Sequence, residues 1–109
     1  MAALYPHKVQ KLKDALVEGE VRIFTMEWGS KGTPSAVDVK AFIKGESTDL
    51  TATLLTGTST VSGSVQTFST LTVRAGDGTK TYRIVAQATI GSETYKAVVE
   101  AIVQKKEGD

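Results

Sequence analysis

The residues with the most chemical potential lie between Val73 and Ile84, in the run VRAGDGTKTYRI. Two glycines, an aspartate, a lysine and two threonines there raise the question of a phosphate-gripping loop. Such a loop needs Gly, four residues, then Gly-Lys-Ser/Thr, so that backbone N–H groups wrap the phosphates at the start of a helix. Lys80 and Thr81 supply the final pair, but Thr79 stands where the second glycine is required, and the segment leads into an alternating strand pattern. Without a following helix there is no helix dipole to favour an anion. The dinucleotide fingerprint fails in the same way, because Thr81 replaces its third glycine. A calcium loop wants several acids at alternate positions, whereas Asp77 is alone in this run. What remains is a loop feeding a strand.

The other reactive side chains are equally sparse. His7 is the only histidine and cysteine is absent, so zinc binding or a Ser-His dyad would rest on a single ligand near the N-terminus. Glu46 and Asp49 share one turn segment, GESTD, whose Ser47, Thr48 and Asp49 suit turn formation. A carboxylate pair for glycoside cleavage needs a cleft as well. These residues therefore imply no catalytic centre, no metal and no cofactor. Trp28 reads as a core residue of an alternating strand; its sharper reading is an exposed platform for a sugar ring or a partner protein, together with Tyr95.

Positioning these side chains falls to a chain rich in β-branched residues. Thr and Ser supply 23 of the 109 positions, mostly after Thr33, and asparagine is missing, so turns fall to Gly, Asp and Ser. Hydrophobic residues make up 40% and charged residues 23%, which fits one folded domain able to bury roughly 65% of its unfolded surface. Thirteen Lys and Arg against twelve Asp and Glu leave a net charge of +1. Such a balance provides no field for nucleic acid or an anionic membrane. No apolar run is long enough to span a bilayer, and no signal peptide is recognisable, so a soluble, cytoplasmic protein is expected.

Residues 1–19 differ from the rest. Pro6, the spacing of Val9, Leu12 and Leu16, and Gly19 suggest a short helix over His7 to Val17, or an arm that packs on its own domain or docks on a neighbouring subunit through Leu12 and Leu16. From Glu20 the period becomes two. EVRIFTMEW places Phe24, Met26 and Trp28 on one side, and AVDVKAFIK places Val37, Val39, Ala41 and Ile43 on one side. LTATLLT reads as a third strand. VSGSVQTFSTLTVRA holds one or two more, with Gly63 as a turn or bulge. TYRIVAQATI and TYKAVVEAIVQ form a hairpin about Gly91-Ser92-Glu93. KKEGD, residues 105–109, is a polar tail expected to be disordered.

Six or seven strands at intervals of about ten residues, over 20–104, fit an all-β, immunoglobulin-like antiparallel β-sandwich. In that fold a tyrosine near the start of the penultimate strand turns its hydroxyl back to the backbone a few residues upstream. Tyr82 is placed for that role, and Trp28 for the core.

FTMEWGS, a Gly/Thr/Ser-rich middle, and GDGTKTYRIVAQATIGSETYKAVVEAIV together resemble the short Ig-like proteins encoded among head and tail genes of tailed bacteriophages and prophages. Glu27-Trp28, the glycine-rich turn before Thr81-Tyr82 and the apolar final hairpin carry the resemblance, over roughly residues 24 to 104. It implies a non-catalytic structural or accessory component of a virion, contacting other virion proteins or neighbouring subunits through strand edges, loops and the N-terminal arm. The alternative is a carbohydrate-binding or adhesion domain using Trp28 and Tyr95.

Overall fold

The computed structural model describes residues 2–4, 9–12, 15–29 and 31–105. Its longest element pair is the expected hairpin, β11 (Thr81–Ile90) and β12 (Glu93–Gln104), which run antiparallel from Thr81↔Ile102 to Ile90↔Glu93. Gly91, at φ +63, makes the reversal. β6 (Ala36–Ile43) pairs antiparallel with the far side of β11. Strict alternation puts Tyr82, Ile84, Ala86 and Ala88 of β11, Ala97, Val99, Ala101 and Val103 of β12, and Val39, Ala41 and Ile43 of β6 in the core.

Two further sheets complete the strand set and share the same core. β4 (Val21–Arg22) and β5 (Phe24–Glu27) face β10 (Thr70–Thr72) and β9 (Val65–Thr67) respectively. The register changes by one residue between the two ladders: Phe68 donates to the Phe24 carbonyl, yet Leu71 lies opposite Arg22. Ser69 and Thr70 thus share the place of one residue beside Ile23, a β-bulge that bends the chain. β7 (Leu55–Thr56) joins β10, and β8 (Thr60–Ser62) forms the outer strand beside β9, turned by Gly63 at φ +59. Phe24, Met26, Trp28, Phe68, Leu71 and Val73 point inward and meet the faces of β6, β11 and β12 in one apolar cluster. Burial of a large side chain contributes about 1.5–3 kcal/mol, so this shared cluster is what joins the three sheets into one unit.

The helix expected over His7–Val17 is not formed in its described part. β2 (Val9–Lys11) and β3 (Leu16–Val17) are strands, both parallel to β12. β1 (Ala2–Leu4) runs parallel to β5 in a different sheet. His7, Lys13 and Asp14 lie outside the described residues. A helix with a three-residue apolar stripe is marginal in water, whereas the free edge of β12 offers a ladder of unpaired groups. Leu16 is fully buried in the chain's own core and Leu12 is half-buried against it; of the two expected arrangements for this segment, these side chains follow packing on the chain's own domain. Of the polar tail expected over 105–109, only Lys105 is described.

The strand expected over 50–56 is also different. One helical turn, α1 (Thr51–Leu54), precedes β7. The Asp49 carboxylate accepts the Thr51 N–H at 2.8 Å together with the Thr51 hydroxyl, and the Leu50 carbonyl receives Thr53 and Leu54. An aspartate closing on the residue two further along starts a turn in preference to a strand. Leu54 and Leu55 are both buried, as a helical turn allows and strict alternation does not.

Candidate functional site

The glycine-rich run is a loop between β10 and β11, and it does grip an anion, one belonging to the chain. The N–H groups of Gly76 and Gly78 both donate to Glu18 Oε2, at 3.0 and 2.8 Å. Gly76, at φ +94, and Thr79, at φ +83, turn the backbone so that these groups converge. Backbone N–H groups turned toward one point in this way form an anion-binding concavity. Here Glu18, from the segment just after β3, fills it. A Cβ on Gly78 would stand 2.5 Å from Lys105 Cγ and 2.9 Å from both Lys105 Cα and Glu18 Oε2, so the close approach of three segments requires glycine.

Beneath the loop lies a buried polar knot. The Arg74 N–H donates to the Tyr82 hydroxyl at 3.0 Å, and that hydroxyl donates to Asp77 Oδ2. Arg74 reaches the same carboxylate with two nitrogens, at 3.1 and 3.2 Å, and Lys80 lies 3.7 Å from it. Asp77 is 2% exposed. Burial by itself raises the Asp77 carboxyl, but the hydrogen bonds from Tyr82 and Arg74 and the nearby cations outweigh it and hold the group below its usual range. Burial, then the bond to Asp77, push the Tyr82 hydroxyl well above its ordinary value. A tyrosine so protonated and a carboxylate so paired are suited to holding a corner and poorly suited to exchanging protons. The sequence pointed to Tyr82 but not to Asp77 as its partner or to Glu18 as the anion the loop holds.

Trp28 is fully buried, and its Nε1–H donates to Gln66 Oε1 at 3.0 Å. Gln66 Nε2 donates in turn to the Asp38 carbonyl at 2.9 Å. This buried amide therefore ties β5 and β9 to β6 across the core. Glu27 turns away from the core: its Oε1 accepts the Gly29 N–H at 2.7 Å and the Ser64 hydroxyl. Tyr95 is half-buried, with its hydroxyl on Glu93 and Lys31 Nζ 5.3 Å from its ring centre. Trp28 and Tyr95 thus do not form a joint aromatic platform, since Trp28 presents no face to solvent.

Glu46 and Asp49 do not act together either. Asp49 is held below its usual value chiefly by the Thr51 hydroxyl, and the two residues line different depressions. Among the described residues no group of three or more His, Asp or Glu side chains is placed to hold a metal ion, and no helix is long and apolar enough to cross a membrane.

A concavity of about 490 Å³ lies along the outer edge of β6. Val37, Val39, Thr51, Leu55, Ser59 and Ser69 line it. Both backbone groups of Ala41 point to this edge: its N–H donates to Thr51 Oγ1 at 3.1 Å and its carbonyl receives Leu50 at 2.9 Å. Lys44, by contrast, donates inward to Thr81 of β11. Backbone direction alternates along a strand, so Val39 and Val37 turn their polar groups the same way as Ala41, into the groove. The 50–51 segment closes the edge at Ala41, and no backbone of the described residues pairs with it at Val37 and Val39.

Comparison with protein-family models, curated proteins and solved structures gives no match. The fold and its sites define the chain as an all-β protein of largely antiparallel sheets.

Proposed function

We propose that the chain is an immunoglobulin-like sandwich acting as a non-catalytic protein–protein interaction module, and that its setting is the head, neck or tail of a tailed-phage or prophage particle. The immunoglobulin-like assignment is supported by the Tyr82 hydroxyl reaching the Arg74 backbone, by the buried Trp28, and by an N-terminal segment that adds strands to two of the sheets.

What supports the binding role most is the outer edge of β6. Two residues with outward backbone groups beside a groove of this size suit the addition of a short extended segment from a partner, with main-chain bonds for affinity and the groove for side chains. Edge strands left open in this way are otherwise aggregation sites, and a partner within an assembly would cover this one. The sugar-binding alternative has lost Trp28 to the core.

Mass spectrometry of particles purified from an induced lysogen tests the setting. The chain is expected in fixed ratio to the major particle proteins; its presence only in the soluble lysate would overturn the virion assignment.

A further inference from the structure

The outer face of the sheet β6–β11–β12–β2 carries a pattern that the core does not use. Register places Lys40, Val85 and Val98 in one row across the sheet, with Phe42, Arg83, Glu100 and Lys11 in the next row, and Asp38, Gln87 and Lys96 on the other side. Phe42, Val85 and Val98 are half-buried, yet none of them packs against the apolar cluster. Ile102, 57% exposed, extends the stripe. Two shallow depressions, about 270 and 240 Å³, flank Phe42 and Val85, which line both.

Around this stripe stand Lys11, Lys40, Lys44, Arg83 and Lys96, against Asp38, Glu46 and a largely buried Glu100. Lys44 pairs with Glu100 at 3.3 Å. Among the described residues no ion pair engages Lys11, Lys40, Arg83 or Lys96. The whole chain carries only +1, so this face concentrates positive charge that the balanced total conceals. Register sets Lys40 and Lys96 opposite Val85 and Gln87 of β11, so neither lysine faces a carboxylate across that strand, and an anionic partner supplies one.

We propose that this face docks an acidic protein segment, with its apolar side chains on the Phe42–Val85–Val98 stripe and its carboxylates on Lys40, Arg83 and Lys96. The face measures about 15 by 28 Å from strand and residue spacings, about half of the roughly 800 Å² per partner of a stable domain–domain contact. That size favours a segment over a second domain. Nucleic acid is the other polyanion, but its binding surfaces stack bases on several aromatic rings, and this stripe is aliphatic apart from Phe42. The inference rests on the chain being a binding module and is independent of the β6 groove, whose occupation is read at Val37 and Val39.

The test is an amide-shift titration of the isotope-labelled chain with a nine-residue Glu-Glu-Leu repeat peptide, its Lys-Lys-Leu counterpart and a nine-nucleotide thymidine oligomer. Saturable shifts centred on Val85 and Val98 are expected with the acidic peptide alone, weakened about tenfold or more in a Lys40→Glu/Lys96→Glu variant, since two attractive exposed charges become repulsive. Both lysines are exposed, so an unchanged spectrum of the free variant verifies its fold. Tighter binding of the oligomer, equal binding of the basic peptide, shifts confined to other surfaces, or no saturable shift with the acidic peptide would overturn the proposal.

Discussion

Glu18 Oε2 sits 2.8 Å from the Gly78 nitrogen and 3.0 Å from that of Gly76. One carboxylate oxygen thereby fastens the N-terminal segment to a loop 60 positions further along the chain. Hydrogen bonds to a charged group contribute about 1.5–3 kcal/mol, less where water competes. Glu18→Ala is expected to lower stability by about 1–2 kcal/mol and to speed amide exchange at Gly76 and Gly78, while Glu18→Gln, which keeps an acceptor oxygen, loses less. Urea unfolding and amide exchange measure both effects; unaltered exchange at the two glycines would remove the clamp.

Gly78→Ala tests the close approach of the same segments. The added Cβ meets the Lys105 backbone at 2.9 Å, and overpacking of this kind costs about 1–3 kcal/mol. A loss in that range, read as a lower unfolding midpoint at unchanged slope, is the expected outcome.

Tyr82→Phe removes the acceptor of the Arg74 N–H and a donor to Asp77 in one step. An expected loss of about 1–3 kcal/mol follows from leaving buried polar groups short of a partner. Denaturant unfolding near neutral pH measures it, and unchanged stability would contradict the corner role of Tyr82.

The pH dependence follows from Asp77. Its carboxyl is more acidic folded than unfolded, so its contribution is fully present above the unfolded value of about 4 and is lost as pH falls through the lower folded value. Stability from this group should be flat above about pH 5 and decline below about pH 4. The decline should be shallower in Tyr82→Phe, where Asp77 has lost one of the bonds that hold it ionised. Unfolding curves from pH 2 to 6 for both proteins compare the slopes.

Trp28 and Gln66 should behave as a coupled pair. Emission from Trp28, the sole tryptophan, is expected to be blue-shifted and shielded from a soluble quencher. Gln66→Leu should cost about 1–3 kcal/mol, because it leaves the Trp28 Nε1–H without its buried acceptor. Red-shifted, quencher-accessible emission would contradict the burial on which the rejection of a sugar platform depends.

The parts of the fold legible in the sequence were those written in a period of two. Tyr82 to Ala88, Ala97 to Val103 and Val39 to Ile43 alternate cleanly, and the structure places their apolar faces in the core, with Val37 partly buried beside it. Val9, Leu12 and Leu16 have a spacing that serves a helix, yet they belong to a segment paired with β12 over a separation of nearly ninety residues, for which no local signal exists. Leu54 and Leu55 broke alternation and marked the helical turn, and Asp49 two residues before Thr51 was its cue. Of the loop before β11, glycines and a tyrosine were recognisable as turn chemistry. Its bound carboxylate was not, because Glu18 comes from a distant segment. The outer edge of β6 was invisible for a related reason: which backbone groups stay unpaired depends on what the rest of the chain covers.

Amide exchange of the chain, free and within its native assembly, tests the binding reading most directly. Slower exchange at Val37 and Val39 and across 57–59 on assembly is the predicted result. Unchanged exchange along that edge, in an assembly that protects other surfaces, would contradict a partner strand beside β6.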